Sequence, residues 1–167
     1  IIDINKAKKE IQKVVSDAVG TKMSIKLVLN SSKTERSRIK LLPTSRYVVK
    51  ATVKQVRKAD SSISGDSYIV TELKDNNKVI AISDGMGSGA QANKSSKTVI
   101  SMLKKMLTNG FDKEVSIGLI NSAININSNE ETYATIDLSI IDLNNGNIEF
   151  IKNGACPTFI KSKNKVE

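Results

Sequence analysis

Histidine and tryptophan are absent from this 167-residue chain, cysteine occurs once and proline twice. Without histidine no Ser-His-Asp or Cys-His arrangement can be built, and a zinc site loses its commonest neutral ligand. Any hydrolytic chemistry must then rest on carboxylates, lysine or metal-bound water. The single cysteine, Cys156, cannot form an internal disulfide, which suits a reducing compartment. With no histidine to activate it, Cys156 reads as a small buried hydrophobe. Aromatic residues make up 4% of the chain, too few to stack many bases, so nucleic acid is a disfavoured partner. No apolar run approaches the ~18 residues that would span a membrane. The N-terminal Ile1-Ile2-Asp3 lacks the apolar stretch of a signal peptide, and the missing initiator Met suggests a cut from a longer protein.

The length fits one domain with room for a core. The net charge of +9 is uneven: residues 1–60 hold 15 Lys/Arg against 5 Asp/Glu, and residues 61–167 hold 11 against 12. The basic character therefore belongs to the first third. It could steer an acidic or phosphorylated partner, or simply be a solvated lysine surface.

Periodicity places the elements. Ile4, Ala7, Ile11, Val14, Val15 and Ala18 recur at three and four and predict an amphipathic helix over 4–19, stopped by Gly20. Alternation predicts strands over 22–29 and 47–56, with a short strand around 39–42 between them. Tyr68–Leu73 and Val79–Ser83 read as a strand pair joined by the polar turn 74–78. Two helices follow, over 90–108 and about 113–126; the first has Val99, Leu103, Met106 and Leu107 on one side, and the second carries Val115, Leu119, Ile120, Ala123 and Ile124. Thr135–Leu143 and Asn147–Lys152 flank Asn144-Asn145-Gly146, a strong hairpin signal. Thr158–Lys161 begins a further strand. Strands, then two helices, then antiparallel strands make an α+β chain.

The chemistry concentrates at Val79–Ala90, VIAISDGMGSGA. A short apolar strand ends in Asp84, and glycines at 85, 87 and 89 lead into a helix. A glycine-rich turn without a carboxylate suits an anion on helix N–H groups. An aspartate at its mouth repels a bare phosphate unless a divalent cation lies between them, so Asp84 points to Mg²⁺ or Mn²⁺. The bland alternative is that Asp84 caps the loop. If the strands on either side of 74–78 pair, Gly65-Asp66 lies opposite Asp84, and both carboxylates with the Gly85 carbonyl could share one cation cluster. Gly-Asp-Ser alone is an ordinary turn, which is the other reading of Asp66.

SGDSY at 64–68, AISDGMGSGAQA at 81–92, YATIDLSIIDL at 133–143 and FIKNGACPTFI at 150–160 closely resemble the phosphatase domain of the stage II sporulation protein E family. That family is a bacterial branch of the metal-dependent protein phosphatase 2C (PPM) superfamily. The resemblance covers most of the chain from about residue 45 and continues into the N-terminal helix. Residues 1–44 would then form a regulatory helix and strand segment, and 45–167 the N-terminal part of the phosphatase domain. The resemblance implies an α-β-β-α sandwich of two antiparallel sheets flanked by helices, with two Mn²⁺ or Mg²⁺ ions between sheet edges. It implies that Asp84 bridges both metals and is the catalytic carboxylate, that the Gly85 carbonyl binds one metal, and that Asp66 acts directly or through water. A metal-bridging hydroxide would attack the phosphorus of a phosphoserine in line. The implied substrate is a phosphorylated anti-sigma factor antagonist, whose dephosphorylation activates a sporulation sigma factor. The implied location is the cytoplasmic side of a membrane-anchored bacterial protein at the division septum.

The family completes its metal site with a later Asp-Gly and a C-terminal Asp-Asp pair, and Glu167 precedes both. Asp137 and Asp142 fall in an internal strand and do not replace them. The expectation is a C-terminally truncated domain, inactive alone. The competing reading is a non-catalytic regulatory or protein-interaction module. A dinucleotide site at Gly85–Gly89 would need a parallel βαβ unit, against the antiparallel hairpin signal.

Overall fold

The computed structural model describes residues 4–30, 37–57, 59, 62–127, 133–163 and 165–167. It divides into two compact units, Ile1–Val49 with Asp142–Asn147, and Lys50–Ile141 with Ile148–Glu167. Among the described residues two antiparallel sheets and three helices make an α+β fold.

In the first unit α1 (Ile4–Val19) ends where Gly20 takes a φ of 69°. It packs on β1 (Met23–Asn30), which pairs antiparallel with β2 (Ser37–Pro43). Ser16 ties helix to strand: its Oγ donates to the Gln12 carbonyl at 2.6 Å and accepts from the Met23 N–H at 2.9 Å. The strand expected around 39–42 is thus longer at both ends. The apolar stripe of α1 is only partly used, because Val14 is 66% exposed within this chain.

The strand expected over 47–56 does not form. Its alternation specifies which side chains would face a core, but a strand also needs a neighbouring backbone, and no described strand pairs with it. Val48 is 84% and Val56 71% exposed. The segment enters instead from a turn contact, where the Arg46 and Tyr47 amides both donate to the Leu143 carbonyl at 2.8 and 2.9 Å. Lys50 and Lys54 are exposed but do not share a strand face.

The second unit is a four-stranded antiparallel sheet with two helices on one face. β3 (Asp66–Glu72), β4 (Asn77–Asp84), β5 (Ile136–Asp142) and β6 (Ile148–Asn153) lie in that order. α2 (Gly89–Thr108) packs on β3 and β4 and against α3 (Lys113–Asn127). The core lies between them. Val79 and Ala81 of β4, Val99 and Leu103 of α2, Ile120 of α3 and Leu138 of β5 have no exposed surface. Period-two alternation sends Ile69 and Ser67 to this core and leaves Tyr68 and Val70 on the other face. α2 buries Val99, Leu103 and Leu107 as its pattern predicts, with Met106 partly buried. α3 buries Ser116 and Ile120, whereas Val115 and Leu119 are about half exposed. A helix of mixed apolar residues can present either of two adjacent stripes, and the contact with α2 selects the one containing Ser116.

The hairpin β5–β6 turns at Gly146 with a φ of 82°, as the Asn-Asn-Gly signal predicts. Asp142 Oδ1 accepts from the Asn144 N–H at 2.7 Å, and Asp137 pairs with Lys152 at 2.7 Å, so both have structural tasks. Beyond β6 no strand forms over 158–161. Only an isolated bridge joins Lys161 to Val166, with Ile160 and Glu167 exchanging backbone hydrogen bonds. Cys156 lies in this stretch and is exposed rather than buried, because the chain has left the helix-covered sheet.

α3 begins at an aspartate cap. Asp112 Oδ1 accepts from the Val115 N–H at 3.1 Å and the Glu114 N–H at 2.8 Å. These bonds, led by that from Val115, hold the carboxyl below its ordinary 3.8. A depressed folded pKa gives a stabilising contribution that is complete above the ordinary value and lost as pH falls through the folded one. Asp112→Ala should therefore lower the melting temperature at pH 7, and the difference from the parent should shrink below about pH 3.8. Thermal scans at several pH values check this; a difference that persists unchanged in acid would rule out the charged cap.

Candidate metal centre

β3 and β4 pair so that Asp66 lies directly opposite Asp84. Directly opposed residues of an antiparallel pair project to the same face with Cβ atoms about 5 Å apart, and like charges there destabilise the sheet. Both acids stand on the face away from the helices, since their neighbours Ser67 and Ser83 are buried on the helix side. Two carboxylates held this close favour a cation between them, and an all-oxygen set suits a hard divalent ion. The expected juxtaposition of Asp66 and Asp84 is therefore present.

Gly85 follows at the point where β4 meets α2. A Cβ on Gly85 would lie 1.9 Å from the Ala92 carbonyl oxygen, so only glycine fits. The next two loop glycines serve a different need: Gly87 and Gly89 adopt φ of 89° and 72°, which L side chains rarely take. The three alternating glycines thus answer one close approach and two left-handed turns.

Several polar residues that the sequence reading passed over hold the two carboxylates in place. Ser64 Oγ donates to Asp66 Oδ2 at 3.2 Å. Asn93 of α2 donates from Nδ2 to the Ser64 carbonyl at 2.7 Å, and Ser96 Oγ donates to the Gly65 carbonyl at 2.5 Å. Ser67 Oγ completes the buried group at 2.8 Å from Ser96 Oγ. On the other side the Asp84 N–H donates to Thr135 Oγ1 at 3.0 Å, and the Thr135 N–H donates to the Asp84 carbonyl at 2.9 Å. A cavity of about 430 Å³ opens here, lined among others by Asp84, Gly85, Tyr133, Thr135, Asn153 and Gly154. Thr135 and Asn93 carry no sequence signal of their own, because a lone Thr or Asn is indistinguishable from a surface residue until the fold brings it to the site.

Among the described residues no group of three or more His, Cys, Asp or Glu comes together. Asp66, Asp84 and the Gly85 carbonyl would therefore supply part of a hard-metal shell, with water or substrate oxygens filling the rest. The chemistry of the donors fits Mg²⁺ or Mn²⁺ in kind. No helix among the described residues is long and apolar enough to cross a membrane.

Antiparallel sheets with flanking helices make an α+β fold that is similar to the protein phosphatase 2C phosphatase domain. The chain superimposes on the PP2C phosphatase domain and regulatory-domain fragment of the cell fate determinant SpoIIE from Bacillus subtilis. The TM-score is 0.72 at 35% identity, over 96% of this chain and 48% of that one. The family model for stage II sporulation protein E matches residues 74–167, and the chain belongs to that family. It is 40% identical over 123 residues to stage II sporulation protein E of Priestia megaterium and 41% identical to that of Bacillus subtilis (strain 168). These matches cover 74% of this chain but only 21% and 15% of the two relatives.

Two outcomes follow for stability. Gly85→Ala should destabilise by about 3 kcal/mol or more, because the clash is with helix backbone rather than a yielding side chain. Ser96→Ala should cost about 1–3 kcal/mol by removing the partner of the buried Ser67 hydroxyl and leaving the Gly65 carbonyl only its 3.4 Å bond from the Gly85 N–H, whereas Ser83→Ala should be near neutral. The contrast arises because Ser83 Oγ is buried with no hydrogen-bond partner. Urea denaturation of the three variants checks the order; a Ser83→Ala loss as large as that of Ser96→Ala would contradict it.

Proposed function

We propose that residues 45–167 are the N-terminal part of the catalytic domain of a divalent-metal-dependent protein-serine phosphatase of sporulation, with residues 1–44 as a regulatory segment. The observation that carries this reading is the cross-strand pair Asp66–Asp84 at the mouth of the Gly85–Gly89 loop. Family membership and the match to a PP2C phosphatase domain support it. Asp84, Asp66 and the Gly85 carbonyl are the proposed metal-holding groups. A divalent ion bound there supplies Lewis-acid chemistry, lowering the pKa of water and neutralising phosphoryl oxygens. The chain's own share is geometric. Pairing of β3 with β4 fixes the spacing of the two acids, Ser64 orients Asp66, and Thr135 anchors the Asp84 backbone.

The proposed substrate is a phosphoserine on an anti-sigma factor antagonist, whose dephosphorylation activates a sporulation sigma factor. The proposed setting is the cytoplasmic domain of a membrane-anchored protein at the division septum. In a chain extended through the whole phosphatase domain, Asp84→Asn should lower Mn²⁺-dependent hydrolysis of a phosphoserine protein by at least about 10³-fold while preserving the fold. Near-parental turnover would overturn the assignment. The 167-residue chain alone should bind Mn²⁺ with a Kd of about a millimolar or weaker, since few charged ligands give weak sites. Titration calorimetry reads this directly, and tight micromolar binding would contradict the two-carboxylate shell.

A further inference from the structure

α2 carries Lys94, Lys97, Lys104 and Lys105 and no Asp or Glu in twenty residues. Exposed helix faces are stabilised when opposite charges alternate at i,i+4, and like charges repel. At 100° per residue these lysines fall within an arc of about 100° and extend about 16 Å along the axis. All four are exposed, and none pairs with a carboxylate among the described residues. The whole-chain charge pattern hides this stripe, because the second part of the chain is nearly neutral in sum.

The stripe borders a groove rather than a ridge. Two concavities of about 540 and 490 Å³ adjoin along it and share Ile63, Asn93, Lys97 and Ser101. Ile63, 42% exposed, and the partly buried Met102, which lies beside the lysine arc, add apolar surface to the first concavity. The second concavity reaches Asp66 at the end of β3.

We propose that this groove docks an acidic segment of a partner protein, its carboxylates on the four lysines and its apolar side chains on Ile63 and Met102. Charge complementarity selects an acidic ligand. The lining selects a protein over the other polyanions. Tyr68 is the one aromatic residue lining the groove, which leaves nucleic-acid bases little to stack on. Ile63 and Met102 offer two apolar side chains, whereas insertion into a bilayer takes a continuous apolar face. Because the second concavity is lined in part by Asp66, a docked segment lies beside that one carboxylate. That the segment belongs to the phosphatase substrate rests on the function proposed above; the docking itself does not, and its test uses neither metal nor phosphate.

The probe is a fluorescent peptide of about a dozen residues alternating Glu and Leu, long enough to cover the stripe at ~3.3 Å per residue. Its binding to the intact chain is followed by anisotropy. Saturable binding that weakens with salt is expected, with a Kd about tenfold higher for Lys97→Glu with Lys104→Glu. Lys97→Gln with Lys104→Gln should give a smaller loss in the same direction. Lys9→Glu with Lys13→Glu, which changes the net charge equally on exposed positions of α1, should stay within about twofold of the parent. A Glu/Ser peptide should bind more weakly than the Glu/Leu one. Circular dichroism confirms that each variant is folded. Equal losses in the α1 and α2 variants would reduce the effect to net charge and overturn the proposal. So would the absence of saturable binding, or tighter binding of oligothymidylate or of vesicles rich in anionic lipid.

Discussion

At Gly85 the end of β4 lies against the first turns of α2, so close that any side chain would meet the Ala92 backbone. That approach sets where the helix starts over the sheet. With α2 so placed, Val99 and Leu103 close the core over Val79 and Ala81, and Asn93 and Ser96 reach the Ser64 and Gly65 carbonyls. The helix therefore buttresses the loop that carries Asp66 while the strand it follows carries Asp84. One steric constraint links the core to both acids.

The two faces of the sheet have separate tasks. On the helix side, small polar groups are buried in pairs: Ser67 opposes Ser83 across the strands, and Ser96 bonds Ser67. Small side chains there let α2 lie close. On the far side, Asp66 and Asp84 stand at one end of a face that continues through Tyr68, Val70 and Ile82, all partly exposed. Asp66 and Asp84 lie opposite each other there, whereas Asp137 pairs with Lys152 and Asp142 accepts from a turn amide.

Local periodicity was a good guide where a segment had a partner. The helices at 4–19 and 89–108, the pair β3–β4 and the Asn-Asn-Gly hairpin all follow from spacing and turn chemistry. It misled where the partner was absent or ambiguous. Residues 47–56 alternate like a strand yet find no neighbouring strand, and residues 158–161 form only a bridge. α3 has apolar residues on two adjacent stripes, and only contact with α2 chose Ser116 and Ile120 over Val115 and Leu119. Cys156, small and apolar, had the composition of a core residue but lies outside the covered part of the sheet.

By itself the sequence determined the chemistry available: no histidine, an acid closing an apolar strand, three alternating glycines, and a Gly-Asp turn eighteen residues upstream. These are local facts, readable because backbone conformation and ligand preference act over a few residues. The tertiary structure decided what those residues face. It brought Asn93 and Thr135 to support Asp66 and Asp84, whose pairing the hairpin around 74–78 already predicted, and gathered four lysines and Ile63 around one groove. Such neighbours are joined by sheet register and helix packing over separations of twenty to fifty residues, where no sequence spacing records who meets whom.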